Sequence, residues 1–97
     1  MITVHLEPPQ NKQVIYLVES AVQCEIAHLE LALELAQKRV APFESKYGVA
    51  SEKFIATMTA EDLQGGDDEY VQWAGEYKLM QRLEQKLNQL KDLRFDN

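Results

Sequence analysis

The chain has 97 residues, of which 45% are hydrophobic and 27% charged, and its formal net charge is −6. This composition is typical of a folded protein, and the length allows at most one domain with a modest core. Binding of nucleic acid by the lone chain is not expected, because phosphate contacts need clustered Lys and Arg. No membrane span is predicted, because no run approaches the roughly twenty apolar residues that a spanning helix needs.

Cys24 is the only cysteine, so no disulfide within the chain is expected. We interpret it as a small buried residue, since no neighbouring cation would activate a thiol there. The first residues also lack the order of charged and apolar segments that marks a signal peptide. Together these features favour a cytoplasmic protein.

Residues 2–6 alternate apolar and polar side chains and are followed by Pro8-Pro9. The alternation predicts a short strand or an extended arm within residues 1–10. Because one strand is not stable alone, we expect it to pair with another copy of the chain or with a partner's sheet edge.

Residues 11–41 lack internal Pro and Gly and consist mainly of helix-forming residues, so they predict one long helix. On a wheel of about 100° per residue, the apolar side chains cover an arc of roughly 220°. A helix that rests on one neighbour needs only about 100° of apolar surface. The wide arc therefore predicts two neighbours, and Pro42 is expected to end or kink the helix.

The apolar arc divides into two flanks along this helix. We expect the chain's last helix to cover one flank, which comprises Ile15, Val18, Val22, Leu29, Leu33 and Ala36. The other flank follows a strict heptad and has no predicted cover within the chain. It comprises Leu17, Ala21, Cys24, His28, Leu31 and Leu35. This second flank is where we expect another chain to bind.

Short helices are predicted over residues 43–64, with Gly48 closing one of them and Ser51 capping the next. Acidic residues at 67–69 predict the start of a last long helix over residues 67–93. The predicted fold is therefore all-α: two long antiparallel helices joined by a short helical hairpin segment, in one domain over residues 1–97. Tyr70, Trp73 and Tyr77 are expected to be core or interface anchors on the last helix.

Two patterns on the helices suggest other chemistry. Glu25 and His28 have the Glu-x-x-His spacing of one half of a di-iron site, but a second such pair is missing from the sequence. We interpret the pair as a hydrogen bond between helices. A basic stripe on the last helix consists of Lys78, Arg82 and Lys86. Because acidic residues are interleaved with them, we interpret this stripe as a solvated or salt-bridged face. We expect no metal, no cofactor and no catalysis.

The segment 43–48 reads Phe-Glu-Ser-Lys-Tyr-Gly, and Gly66-Asp67-Asp68 and Trp73 follow it. Over residues 43–77 this pattern resembles a family of small helical antitoxin-like proteins from bacterial and archaeal toxin–antitoxin pairs. The resemblance implies a non-catalytic protein that binds and neutralises a toxin, with Phe43, Tyr47, Phe54 and Trp73 as packing positions. The family's Met-Ser after the glycine is replaced here by Val49-Ala50.

Two functions follow as expectations. The first is an antitoxin-like binding module, whose partner contacts are placed on the uncovered flank of the first long helix and on Tyr70, Trp73 and Tyr77. The acidic charge of the chain would suit a basic toxin that acts on RNA. The alternative is a structural homodimer, in which two copies form a helical bundle without a toxin.

Overall fold

A computed structural model describes residues 2–5 and 12–96. The elements in chain order are strand β1 (Ile2–His5), helix α1 (Lys12–Tyr47), helix α2 (Ser51–Thr57), a 3-10 turn (Ala60–Asp62), helix α3 (Gly66–Lys91) and strand β2 (Leu93–Asp96). The predicted all-α fold is confirmed, with two long helices and short helical segments between them in sequence. Within the described ranges, no helix has the length and hydropathy needed to cross a membrane.

The chain divides into two compact units, and each long helix contributes residues to both. The terminal unit comprises residues 1–32 and 83–97, and the central unit comprises residues 33–82. Among the residues of the terminal unit whose side chains are described, the buried apolar ones come from α1 and α3. They are Ile15, Ile26, Leu29, Leu83 and Leu87.

The predicted N-terminal strand is present, but its hydrogen-bonded neighbour is in the same chain. β1 pairs in parallel with β2, and Ile2 lies opposite Leu93. The expectation that this strand would pair with another chain is therefore corrected, because α3 ends at Lys91 and leaves Leu93–Asp96 to form a strand. Residues 6–10, also assigned to the arm, lie outside the described residues.

Helix α1 continues through Pro42 and ends at Tyr47, so the prediction that it would end at this proline needs correction, and a kink there stays a prediction. Proline inside a helix costs about 3 kcal/mol, because a backbone hydrogen bond is lost. Tertiary contacts of the last turn oppose this cost, since Phe43 and Tyr47 both pack against the core. Gly48, at a φ of +65°, then closes the helix by donating its N–H to the carbonyl of Glu44.

Ser51 does not cap α2 as predicted; it is the first residue of that helix and is buried. Ala50 holds the preceding position in an extended conformation and has no side-chain oxygen to accept a hydrogen bond. The cap comes instead from α1: a carboxylate oxygen of Glu44 accepts the backbone N–H of Ser51 at 2.9 Å. A carboxylate from a distant turn thus replaces the local capping residue.

The core of the central unit contains Val40, Phe54, Leu63, Trp73 and Ala74. Two ion pairs connect α1 and α3 in this unit: Arg39 lies 3.6 Å from Glu76, and Lys46 lies 2.7 Å from Glu69. The residue number rises along α1 while that of the partner falls along α3, so the helices run antiparallel here, as predicted.

Candidate protein-binding surface

Trp73 is the centre of the central unit and has no exposed surface. Three rings lie nearly parallel to its indole, with ring centroids 3.8 Å away for Phe54, 5.6 Å for Phe43 and 5.8 Å for Tyr47. Tyr70, which is half-buried, packs at a tilt on Phe54 with centroids 5.2 Å apart. Stacked aromatic pairs of this kind contribute about 0.5–1.5 kcal/mol beyond their burial.

The prediction of a partner contact at Trp73 is therefore corrected: its whole side chain is used by the chain's own core. Tyr70 and Tyr77 are each half-buried, and Tyr70 is committed to Phe54. The helical spacing of these residues was compatible with either core or interface. The stacking of Trp73 on Phe43 and Phe54, which are distant in sequence, shows that Trp73 is a core residue.

A buried polar chain fixes the orientation of Trp73. The indole Nε1–H donates to Oγ of Ser51 at 2.8 Å, and the Ser51 hydroxyl donates in turn to Oε2 of Glu44 at 2.8 Å. Because the same carboxylate oxygen accepts the Ser51 N–H, Glu44 connects the end of α1 to the start of α2. A buried indole N–H needs such a partner, since an unsatisfied buried donor costs about 1–3 kcal/mol.

A second network surrounds the carboxylate of Glu69 in the first turn of α3. Lys46 donates to its Oε2 at 2.7 Å, Tyr47 donates its hydroxyl to Oε1, and the Gly65 N–H donates to Oε1 at 2.8 Å. These hydrogen bonds lower the pKa of Glu69 to about 2 from an ordinary value of 4.5. The bond to Glu69 also raises the pKa of Lys46.

The glycine before α3 has a steric role in this second network. A Cβ on Gly65 would lie 2.3 Å from Cγ of Glu69, much closer than two non-bonded carbon atoms approach. The Tyr47 hydroxyl also accepts the backbone N–H of Gln64 at 2.8 Å. The loop before α3 is thereby attached to the end of α1.

The residues of segment 43–48 thus have specific packing roles in the central unit. Phe43 and Tyr47 stack on Trp73, Glu44 caps α2, and Lys46 pairs with Glu69. The sequence reasoning anticipated the packing of the aromatic residues but missed Glu44 and Glu69. Glu69 lies in an acidic first turn directly after two glycines, and this position could have indicated its role.

A different surface, on α1, is exposed. We define the α1 stripe as five residues of the terminal unit, all exposed: Leu17, Ala21, Cys24, His28 and Leu31. Leu17 has 65% of its surface exposed and Leu31 has 55%. The heptad flank predicted to lack a cover is therefore open in the described chain, and the expectation that Cys24 would be buried is wrong for the single chain.

The other flank of α1 is covered as predicted. Ile15, Leu29 and Ala36 are buried, and Val18, Val22 and Leu33 are half-buried. Leu35, on the part of α1 that belongs to the central unit, is 42% exposed. Burying a Leu side chain contributes about 1.5–3 kcal/mol when it is complete, so Leu17 and Leu31 still have much of this energy available to a partner.

Glu25 and His28 do not form the expected hydrogen bond between helices. His28 Nδ1 lies 3.5 Å from Oε1 of Glu25 within α1, and both side chains are more than half exposed. In residues 2–5 and 12–96, no cluster of three or more His, Cys, Asp or Glu side chains could hold a metal ion. The pair is therefore an exposed contact at the α1 stripe.

The terminal unit also has a groove of about 370 Å³, between α1 and the end of α3 with β2. Its walls carry charges of both signs, with Glu19 and Glu30 on α1 and Lys91 and Arg94 opposite them.

The basic residues Lys78, Arg82 and Lys86 are exposed on α3. The apolar surface on α1 is the feature most readily used for binding, because exposed Leu residues gain free energy on burial.

Comparison of the chain with known proteins gave no match to a protein family, to a curated protein or to a solved structure.

Proposed function

We propose that this chain is a non-catalytic protein-binding module that acts in the cytoplasm as the antitoxin-like component of a toxin–antitoxin pair. It binds its partner through the α1 stripe, on which a helix of another chain packs. The exposure of Leu17 and Leu31 on one helical face is the observation that carries this proposal. Leu17, Cys24 and Leu31 recur every seven residues, and helix-in-groove recognition uses anchors three, four and seven residues apart.

The opposite face of the same helix supports the proposal. Ile15, Ile26 and Leu29 bury that face in the terminal unit. The helix therefore presents its exposed side chains from a folded scaffold, and little ordering of the backbone is needed when a partner binds. A preorganised surface loses less conformational entropy on binding than a disordered segment does.

The charge of the chain suits the proposed partner. A net charge of −6 attracts a basic protein at long range and accelerates its association. A toxin that acts on RNA needs a basic surface, since it must bind phosphates. An acidic protein that covers such a surface would compete with the RNA.

The test is co-expression of the chain with the product of the adjacent gene, followed by size-exclusion chromatography with light scattering. The proposal expects one complex that contains both proteins and a growth defect from the partner alone that the chain relieves. Leu31→Glu should remove both effects. Val71→Glu is the matched control, because Val71 is 70% exposed and belongs to a different helix, α3, in the central unit.

Two results would contradict the proposal. One is the absence of a complex between the chain and its neighbour at micromolar concentrations. The other is a complex that Leu31→Glu weakens no more than Val71→Glu does, since the α1 stripe would then take no part in binding.

A structural homodimer is the second candidate function, and the spacing of the α1 stripe favours it. A heptad face is complementary to a copy of itself, so two chains could form a bundle without any toxin. A stable dimer that melts in one sharp transition, together with a neighbour that neither binds nor affects growth, would support this candidate over the first.

A further inference from the structure

We propose that, in the free protein, the α1 stripe packs against the α1 stripe of a second copy, with the two helices parallel and in register. This inference rests on the proposed function in one respect: it takes the α1 stripe to be a protein-binding surface and names its partner. It adds the orientation of the pair and the residues that set it.

The heptad positions of the α1 stripe match a two-stranded coiled coil. Leu17, Cys24 and Leu31 occupy the d positions, while Ala21 and His28 occupy the a positions between them. Leu at d favours two helices over three or four. The preceding a position holds Val14, a β-branched residue that is 42% exposed. Parallel dimers also favour β-branched residues at the a positions.

His28 selects the orientation and the register. In a parallel, in-register pair, an a position faces the same a position, so His28 meets His28 of the second copy. In an antiparallel pair, a faces d, so His28 would oppose Leu17, Cys24 or Leu31. A single polar residue at an a position is known to specify register in this way, because a mismatch buries its polar atoms against an apolar side chain.

The positions beside the α1 stripe do not oppose the pairing. In a parallel pair the g position of one helix lies near the following e position of the other. Ser20 then lies near Glu25 of the second copy, and Ala27 near Ala32 of the second copy. Glu25 is the only charge at these positions within residues 17–32, which fits the depletion of charge at interface cores. Glu19 and Glu30 lie at outer heptad positions.

The first experiment measures the mass of the purified chain by light scattering. The wild-type chain is expected at twice 11.2 kDa, and Leu17→Glu and Leu31→Glu at 11.2 kDa. Circular dichroism should show the same helicity in all of them, since both side chains are already more than half exposed. Val71→Glu, the control, should remain dimeric. A monomeric wild-type chain would overturn the inference.

The second experiment determines orientation with a short bis-maleimide, which adds to two thiols and needs no oxidant. Cys24 is the only cysteine, so the wild-type chain should cross-link through two Cys24 thiols at a shared d layer. Leu31→Cys in a Cys24→Ala background should cross-link equally well. Tyr16→Cys in that background should not, because Tyr16 is exposed at an outer position of the same helix.

The decisive comparison mixes two differently tagged proteins, one with Leu17→Cys and the other with Leu31→Cys, each in the Cys24→Ala background. Parallel, in-register pairing predicts only products that join like positions. In the antiparallel pair that sets position 17 opposite His28, position 31 lies within one helical turn of position 17. A product that joins positions 17 and 31 would therefore show antiparallel pairing and overturn the inference. These experiments use the chain alone, so their failure leaves binding to the adjacent gene's product intact and is distinguishable from failure of the proposed function.

Discussion

The indole N–H of Trp73 donates a hydrogen bond to Oγ of Ser51, 2.8 Å away, inside the core of the central unit. The two residues belong to different helices, and Glu44 on a third helical segment accepts the hydroxyl of Ser51 in turn. The stacked rings around Trp73 supply apolar burial, whereas this polar chain fixes which way the indole faces. The stability of the central unit therefore depends on a buried serine.

Replacing Ser51 with Ala should destabilise the protein by about 1–3 kcal/mol, because the buried Trp73 N–H loses its acceptor. Thr57→Ala is the matched control: its hydroxyl bonds the Lys53 carbonyl at an exposed site of the same helix. It should cost at most about 0.5 kcal/mol. Urea unfolding followed by Trp fluorescence measures both, and equal losses would contradict the buried role of Ser51.

The same substitution at two glycines should change stability in opposite directions. Gly48 has a φ of +65°, so Ala there is strained by about 1–2 kcal/mol although nothing obstructs a Cβ. Gly75 lies inside α3 and also has free space around it. Gly75→Ala should therefore stabilise the protein by about 0.8–1 kcal/mol, because Ala is the better helix former. Thermal melts of both variants would show the two signs.

Pro42→Ala should raise the free energy of unfolding. α1 continues through this exposed proline, so the change restores a backbone donor without removing a buried side chain. The free energy of unfolding should rise by about 1–3 kcal/mol, which does not exceed the full cost of an interior proline. A loss of stability on urea unfolding would show instead that the backbone at Pro42 has a conformation that Ala does not favour.

The Glu69 network predicts a loss of stability in acid. The pKa of Glu69 falls to about 2 in the folded protein from 4.5, so its ionised form is stabilised by folding. Its contribution is fully present above about pH 4.5 and disappears as the pH falls toward 2. Urea midpoints of the wild-type protein and Glu69→Gln, measured from pH 6 to pH 2, should therefore converge at low pH.

Asp68→Asn is the control for this experiment, since it removes the same charge from an exposed position in the same turn. Its difference from the wild-type protein should change less over this range. Curves for Glu69→Gln and the wild-type protein that stay parallel down to pH 2 would contradict the assigned network.

The features that could be predicted from the sequence are those set by local periodicity. The seven-residue spacing of Leu17, Cys24 and Leu31 places them on one face whatever surrounds the helix, so the open flank of α1 was predictable. Helix lengths follow from the same pattern and from Gly48. Even there, the end of α1 was misplaced, because contacts of Phe43 and Tyr47 outweigh the local effect of Pro42.

The features that could not be predicted depend on contacts between different helices or strands. Ser51 fits the local rule for a cap, but Glu44 supplies the cap from the preceding helix. Trp73 has the spacing of an interface anchor, and only its stacking on Phe54 and Phe43 shows that it is buried. The pairing of β1 with β2 joins the two ends of the chain, and neither strand has a local signal for its partner.

The central claim is that the α1 stripe is a protein-binding surface whose partner in the free protein is a second copy of the chain. The most direct test is light scattering of the wild-type chain and Leu31→Glu side by side. Pairing through the α1 stripe predicts a mass of twice 11.2 kDa for the first and 11.2 kDa for the second, with equal helicity. Equal masses for the two proteins would contradict it.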